Sequence, residues 1–246
     1  GLHTTPLATG SVKNGYGERA AGSDQLDVTF YGIGGHGSAP EFAKDPVVMA
    51  CNAVMQYQTI ISRSIAAQDA AVLTAGAIHG GGDNNVIPSS VVVKLNLRWF
   101  TEKTRKVLLD GINQVNEAIA VANGLPKELY PSVLMKGSVY PQINDTAVAN
   151  KVNKALAMII APDKIINNTP PIMGSEDFGH LVWGNGKTTC DYVWVGTAEP
   201  GLYAKALSEG KKAPFYNHNG NYQVDLAAIP LGAEIGATAL LGLFKK

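Results

Sequence analysis

Between residues 90 and 100 the chain alternates apolar and polar side chains. Val91, Val93, Leu95, Leu97 and Trp99 fall on one parity, and Lys94, Asn96 and Arg98 on the other. A period of two puts each set on its own face of a strand, so this segment belongs in a sheet with one covered and one uncovered face. Residues 25–33 alternate in the same way, with Leu26, Val28 and Phe30 against Asp27 and Thr29, and residues 70–78 and 129–136 read as two further strands. A helix is expected from Asp45 as N-cap, with Pro46 at its first position, to about residue 63. Its apolar stripe would be Val47, Cys51, Val54 and Ile61. A second helix carries Leu108, Ile112, Val115 and Ile119 at helical spacing and stops at Gly124-Leu125-Pro126. The order is strand-helix-strand-strand-helix-strand, a ferredoxin-like unit over residues 25–139. Both helices should cover the face of Val93, Leu95 and Leu97, leaving Lys94, Asn96 and Arg98 open to solvent or a partner.

Residues 1–24 and 140–246 contain fewer elements. Asp145 can cap a helix bearing Val148, Val152, Ala155 and Ile159, residues 192–196 read as a buried strand, and Asp225 can cap a closing helix to about residue 243. These pieces read as parts of one larger α/β domain into which the ferredoxin-like unit is inserted. The chain opens on Gly1 rather than Met, and its front reads as cut or processed. Lys plus Arg and Asp plus Glu both number 20, so no global field draws the chain to nucleic acid or anionic lipid. No run approaches the ~20 apolar residues that span a bilayer. Neither nucleic acid nor membrane is therefore expected as a partner. Cys51 and Cys190 read as two buried thiols rather than a disulfide. The compartment stays open, with the cytoplasm preferred and the periplasm following if a leader has been removed.

Candidate chemistry is scattered. His36 stands in Gly34-Gly35-His36-Gly37-Ser38-Ala39-Pro40, a corner between strand and helix where nothing bulky shields an imidazole from a ligand. A glycine-rich surface turn is the alternative. His3 lies just before Pro6, and His218 lies in the loop Tyr216-Asn217-His218-Asn219-Gly220; taken alone, each reads as a surface histidine. Met173-Gly174-Ser175-Glu176-Asp177-Phe178 sets two carboxylates beside a glycine, and Ser175 could simply cap a short helix there, with His180 a bystander. Asn84-Asn85-Val86-Ile87-Pro88 is a turn by composition, and His79 reads equally as a loop residue or a substrate contact. Arg98 on the open face suits a carboxylate through its forked donors, or simply solvent. No G-x-S-x-G, P-loop or dinucleotide fingerprint occurs.

Taken in order, these strings resemble the M20 metallopeptidase and amidohydrolase family, in the branch of hippurate hydrolases and indole-acetyl-amino-acid hydrolases. The marks are Leu2-His3 with Pro6, Gly34-Gly35-His36-Gly37 with Pro40 and Asp45-Pro46-Val47, and Gly76-Ala77-Ile78-His79-Gly80-Gly81. Asn85-Val86-Ile87-Pro88, Met173 to Phe178 and the late His218 complete them. The resemblance implies a partial zinc-peptidase-like catalytic domain (residues 1–24 and 140–246) interrupted by a ferredoxin-like dimerisation domain. It implies two divalent metal ions (zinc, manganese or cobalt) with His3 and His218 as ligands, and His36 as a catalytic residue reaching a substrate carbonyl, often in the partner subunit's site. Asn85 and Arg98 would take the substrate's carboxylate end, and Glu176, grouped with them as substrate-binding, matches an acidic position close to the metals. The implied reaction is hydrolysis of an N-acyl amino acid by a homodimer joined through residues 25–139. The family's Cys-Gly-His ligand motif and Glu-Glu pair do not occur in this sequence. The expectation is therefore a fragment inactive alone, with a non-catalytic dimerisation or binding module as the alternative.

Overall fold

The computed structural model describes residues 1–183 and 188–244. They group into two compact units, one made of Ala20–Pro141 with Met173–Asp177, the other of Gly1–Arg19, Gln142–Ile172 and Phe178–Lys246.

In the first unit the strands Val72–Gly80, Ser90–Trp99, Gly22–Tyr31 and Ser132–Val139 lie side by side in that order, each antiparallel to its neighbour. In chain order this is 2-3-1-4, the ferredoxin-like arrangement. The pairing sets Leu26 opposite Leu95, Val28 opposite Val93 and Phe30 opposite Val91, so the two alternating strands present their apolar parity to the same side. Helices Pro46–Thr59 and Glu102–Ala122 cover that side, burying Met49, Ala53, Tyr57, Leu108, Ile112 and Ile119 against it. On the uncovered face Lys94 pairs with Asp27 at 2.9 Å. The final strand starts at Ser132 because a 3₁₀ turn, Lys127–Leu129, occupies its expected beginning.

Asp45 caps the first helix as expected, accepting from the Val47 N–H at 2.8 Å, but the buried stripe is not the expected one. Met49, Ala50, Ala53, Tyr57 and Ile60 face the core, while Val47 and Cys51 are exposed and Val54 and Ile61 only flank the cluster. The helix is apolar on two faces, so spacing alone could not choose between them. Tyr57 decides the matter: its ring is buried and its hydroxyl donates to Asn116 Oδ1 of the second helix at 2.5 Å. Cys51 is thus an exposed thiol, not a buried one. A π turn, Ile60–Ser64, ends the helix.

Asp24 on the covered face escaped the pattern. Its carboxylate is fully buried and accepts from Arg105 Nε (2.8 Å), Arg105 Nη2 (2.9 Å) and Ser138 Oγ (2.6 Å). The guanidinium lies 4.9 Å from the Trp99 ring centroid, so one buried ion pair ties the first strand, the second helix and the last strand together.

In the second unit Leu2–Ala8 runs parallel to Val193–Ala198, setting His3 beside Trp194, and short strands Val12–Lys13 and Ile165–Ile166 extend the sheet. Every residue of Val193–Ala198 is buried. Asp145 accepts from the Val148 N–H at 2.9 Å and caps Thr146–Leu156, but Ile159 lies beyond that helix and Leu156 is buried in its place. Asp225 accepts from the Ala227 N–H at 3.0 Å ahead of the Ala228–Phe244 helix. Beneath the sheet, Asn14 Nδ2 donates to Asp191 Oδ2 (2.9 Å) and Asn144 Nδ2 donates to Asn14 Oδ1 (3.0 Å). Burial pushes the Asp191 carboxyl up to about 6, against the lowering effect of the Asn14 bond.

Candidate functional site

The His36 corner is built by a two-residue ladder. Gly35–His36 pairs antiparallel with Val86–Ile87, and the Gly37 N–H donates to the Asn85 carbonyl at 2.7 Å, so His36 and Asn85 lie together at one end of the sheet, both exposed. The glycines serve close approach rather than unusual dihedrals, since neither 34, 35 nor 37 has a positive φ. A Cβ at Gly37 would lie 3.1 Å from the Asn85 carbonyl oxygen, one at Gly34 3.1 Å from that of Ile87, and one at Gly32 would run into the Lys44 carbonyl. The structure therefore supplies the packing reason for the glycines that the sequence leaves obscure.

The tautomer of His36 follows from its neighbours. The Ser38 backbone N–H donates to Nδ1 at 3.1 Å, with the Ser38 hydroxyl 2.7 Å from the same atom. A backbone N–H can only donate, so Nδ1 is the acceptor and the ring proton sits on Nε2. In this arrangement the exposed imidazole presents an Nε2–H donor.

Arg98 occupies the other end of the same sheet. Ser90 pairs with Tyr31 near the His36 corner, whereas Arg98 pairs with Ser23. Eight residues at about 3.3 Å per residue set the two ends about 26 Å apart. Arg98 is half-buried, donating from Nε to Asn96 Oδ1 at 2.8 Å and from Nη1 to Ser175 Oγ at 2.7 Å. Ser175 caps no helix, since the next one is His180–Trp183. Its segment is instead tied to the insert, where the Ala21 N–H donates to the Gly174 carbonyl at 2.9 Å. Glu176, half-buried, follows directly, its Oε1 accepting from the Asp177 N–H at 3.1 Å. One chain thus gathers Arg98, Ser175 and Glu176 at one place and His36 with Asn85 at another.

In the second unit, His3 and Asn217, the residue before His218, bond to a common backbone atom. His3 Nδ1 lies 2.6 Å from the Thr4 carbonyl oxygen, and Asn217 Nδ2 donates to that same oxygen at 3.1 Å. A carbonyl can only accept, so Nδ1 of His3 carries a proton. His218 has φ 68°, the sole non-glycine positive φ among the described residues. Left-handed backbone is uncommon outside glycine, though histidine is enriched there.

The peptidase dimerisation domain of the M20 family matches residues 19–124. An N-acetyldiaminopimelate deacetylase of Leuconostoc citreum is 34% identical over 183 residues, which is 74% of this chain and 46% of that protein. A hippurate hydrolase of Campylobacter jejuni is 35% identical over 184 residues, 73% of this chain and 46% of its own length. The chain belongs to the M20 family. It spans about half the length of the curated relatives it matches. A Bacillus subtilis structure described as a dinuclear metal-binding M20 peptidase superposes with a TM-score of 0.72 at 19% identity, covering 99% of this chain and 56% of that one. At that identity it speaks for the fold alone.

For an M20 chain, whether the residues suit a metal is answered in part by His3. A metal-ligating histidine usually donates its second ring N–H to a carbonyl or carboxylate, and His3 Nδ1 makes a bond of that kind to the Thr4 carbonyl. The set is incomplete here: among the described residues no group of three or more His, Cys, Asp or Glu could hold a metal ion. The bonds made by Ser38, Asn96, Ser175 and Asn217 were not read from the sequence. Asn96 shares a strand face with Arg98 and could have been found by parity, whereas Ser175 comes to Arg98 from 77 residues away.

Proposed function

We propose that this M20 chain supplies the substrate-binding and dimerisation parts, and some of the metal ligands, of a divalent-metal-dependent amidohydrolase that cleaves N-acyl amino acids. The observation that carries the reading is the fixed His36 Nε2–H beside Asn85, an aimed donor for an oxygen that gains negative charge. Donors of this kind are worth about 3–4 kcal/mol to a tetrahedral transition state. Arg98 has donors left on Nη2 and Nη1 that can fork onto the carboxylate of the substrate's amino-acid portion. His3 Nε2 and His218 would hold metal. A bound divalent ion supplies Lewis acidity and a nucleophile at neutral pH. A catalytic zinc takes about three protein ligands, and His3 with His218 make two. On that count the chain alone is not expected to turn over, and further ligands are needed.

An N-acyl amino acid is about two residues long, or ~7 Å, so it cannot touch His36 and Arg98 of one chain across about 26 Å. In a homodimer joined through the ferredoxin-like unit, His36 and Asn85 serve the active site of the other subunit while Arg98 serves its own. The edge strand Val72–Gly80, which among the described residues has a neighbour on only one side, offers a pairing surface for such a dimer. The names of the two relatives favour an acyl group on an amino acid as substrate.

The test uses the full-length polypeptide with a panel of N-acyl amino acids, before and after exhaustive chelation, then with zinc, manganese or cobalt restored. Hydrolysis should disappear with the metal and return with it. Turnover unchanged by complete metal removal refutes the reading.

A further inference from the structure

Arg98 differs from Lys94 and Arg105 in what it is bonded to. Lys94, on the same face, pairs with Asp27, and Arg105 pairs with Asp24. Arg98 bonds only to neutral acceptors, Asn96 Oδ1 and Ser175 Oγ, and none of the described carboxylates pairs with it. It thus makes no ion pair among the described residues, while two bonds hold its geometry. The Nε bond fixes one edge of the guanidinium plane and the Nη1 bond fixes the next. Asn96 is itself oriented by a long bond from its Nδ2 to Ser23 Oγ at 3.4 Å. Ser175 is oriented by the neighbouring Ala21 to Gly174 backbone bond. A guanidinium held at two edges keeps both Nη2 donors and one Nη1 donor unspent, and forked recognition of a planar anion requires that pre-organisation.

We propose that Ser175 and Asn96 are positioning residues for Arg98, clamping its guanidinium so that the unspent donors meet the substrate's carboxylate. Through Ser175 the segment that carries Glu176 is linked to the anion-recognising arginine, so order in that segment and affinity for the carboxylate change together. This inference rests on the amidohydrolase reading for the identity of the anion, but the clamp itself does not.

Two measurements test it. In the first, arginine side-chain NMR of this chain reads rotation about the Arg98 Nε–Cζ bond without any activity. The wild type should show separate Nη–H signals for Arg98. Ser175→Ala should average them, and Ser175→Thr, which keeps the hydroxyl, should restore them. Averaged signals in the wild type, or signals unchanged by Ser175→Ala, overturn the clamp. In the second, the full-length polypeptide is assayed on an N-acyl amino acid and on the same compound with its carboxylate converted to a carboxamide. Ser175→Ala and Asn96→Ala should each raise KM for the carboxylate substrate about tenfold, with kcat within about twofold and the carboxamide KM unmoved. In an Arg98→Ala background Ser175→Ala should add nothing. A KM rise equal for both substrates, or one that persists without Arg98, shows a merely structural serine and overturns the proposal. A full-length wild type that hydrolyses no N-acyl amino acid sinks the amidohydrolase reading and the carboxylate role together, while the NMR measurement still decides the clamp.

Discussion

Replacing Asp24 with alanine should cost this protein about 3–4 kcal/mol, and the reason lies in what the substitution strands. The carboxylate is fully buried and accepts three hydrogen bonds, two from Arg105 and one from Ser138. Without it the guanidinium, 18% exposed, keeps its charge and its place against Trp99 but has no anion there. Breaking a buried pair from one side costs about 3–5 kcal/mol. The lower half of that range applies because Arg105 can swing partly into water, and its i,i+3 neighbour Glu102 lies 3.5 Å away. Removing both charges with Asp24→Leu and Arg105→Met should instead fall within ~1 kcal/mol of wild type, since well-packed apolar replacements of buried pairs are often neutral. Hydrogen exchange of peptides covering Gly22–Tyr31 and Ser90–Trp99 isolates this sheet from the other unit, whose unfolding need not be concerted with it. At 1.4 kcal/mol per decade, Asp24→Ala should speed exchange by about 10²–10³-fold, and the double variant by tenfold or less. A single variant within ~1 kcal/mol of wild type, or a double variant as labile as the single one, would refute the reasoning.

Asp191 should make stability depend on pH in the opposite sense to an ordinary paired carboxylate. Burial raises it from 3.8 to about 6, so the folded state holds its proton where the unfolded state has lost it. Stability then declines as pH rises from about 4 to about 6, by at most ~3 kcal/mol. Asp191→Asn should flatten that part of the urea-midpoint profile, and a variant with the wild-type slope contradicts the assignment. Mixing full-length His36→Ala with full-length Arg98→Ala should restore roughly a quarter of wild-type activity, because half of the mixed dimers are hetero and each has one intact site. No recovery after subunit exchange argues against sites shared between subunits. Gly32→Ala should destabilise by about 1–3 kcal/mol because its Cβ meets the Lys44 carbonyl and, at 2.6 Å, Pro46 Cδ. Gly82→Ala, with nothing within 4 Å and no positive φ, is the control and should leave the thermal midpoint close to wild type.

Local chemistry decided a good deal of this fold. The alternation of residues 91–99 names both faces of the sheet in advance, because side chains on a strand must alternate whatever the strand packs against. Asp45 and Asp145 name their helix starts, because a short carboxylate beside a free backbone N–H forms its bond within the same turn. The strings around His3, His36, Asn85, Arg98, Glu176 and His218 were legible for a similar reason, each being a short run of residues. What had to await the tertiary structure depends on partners far away in the chain. Which face of the Pro46–Thr59 helix is buried was settled by Tyr57 reaching Asn116, not by an apolar count that suited two faces. The role of Asp24 rests on Arg105, which comes from 81 residues away. Strand register, a property of pairing and not of composition, put His36 and Arg98 at opposite ends of one sheet, and so set the two groups proposed to meet the substrate too far apart in a single chain for one small substrate.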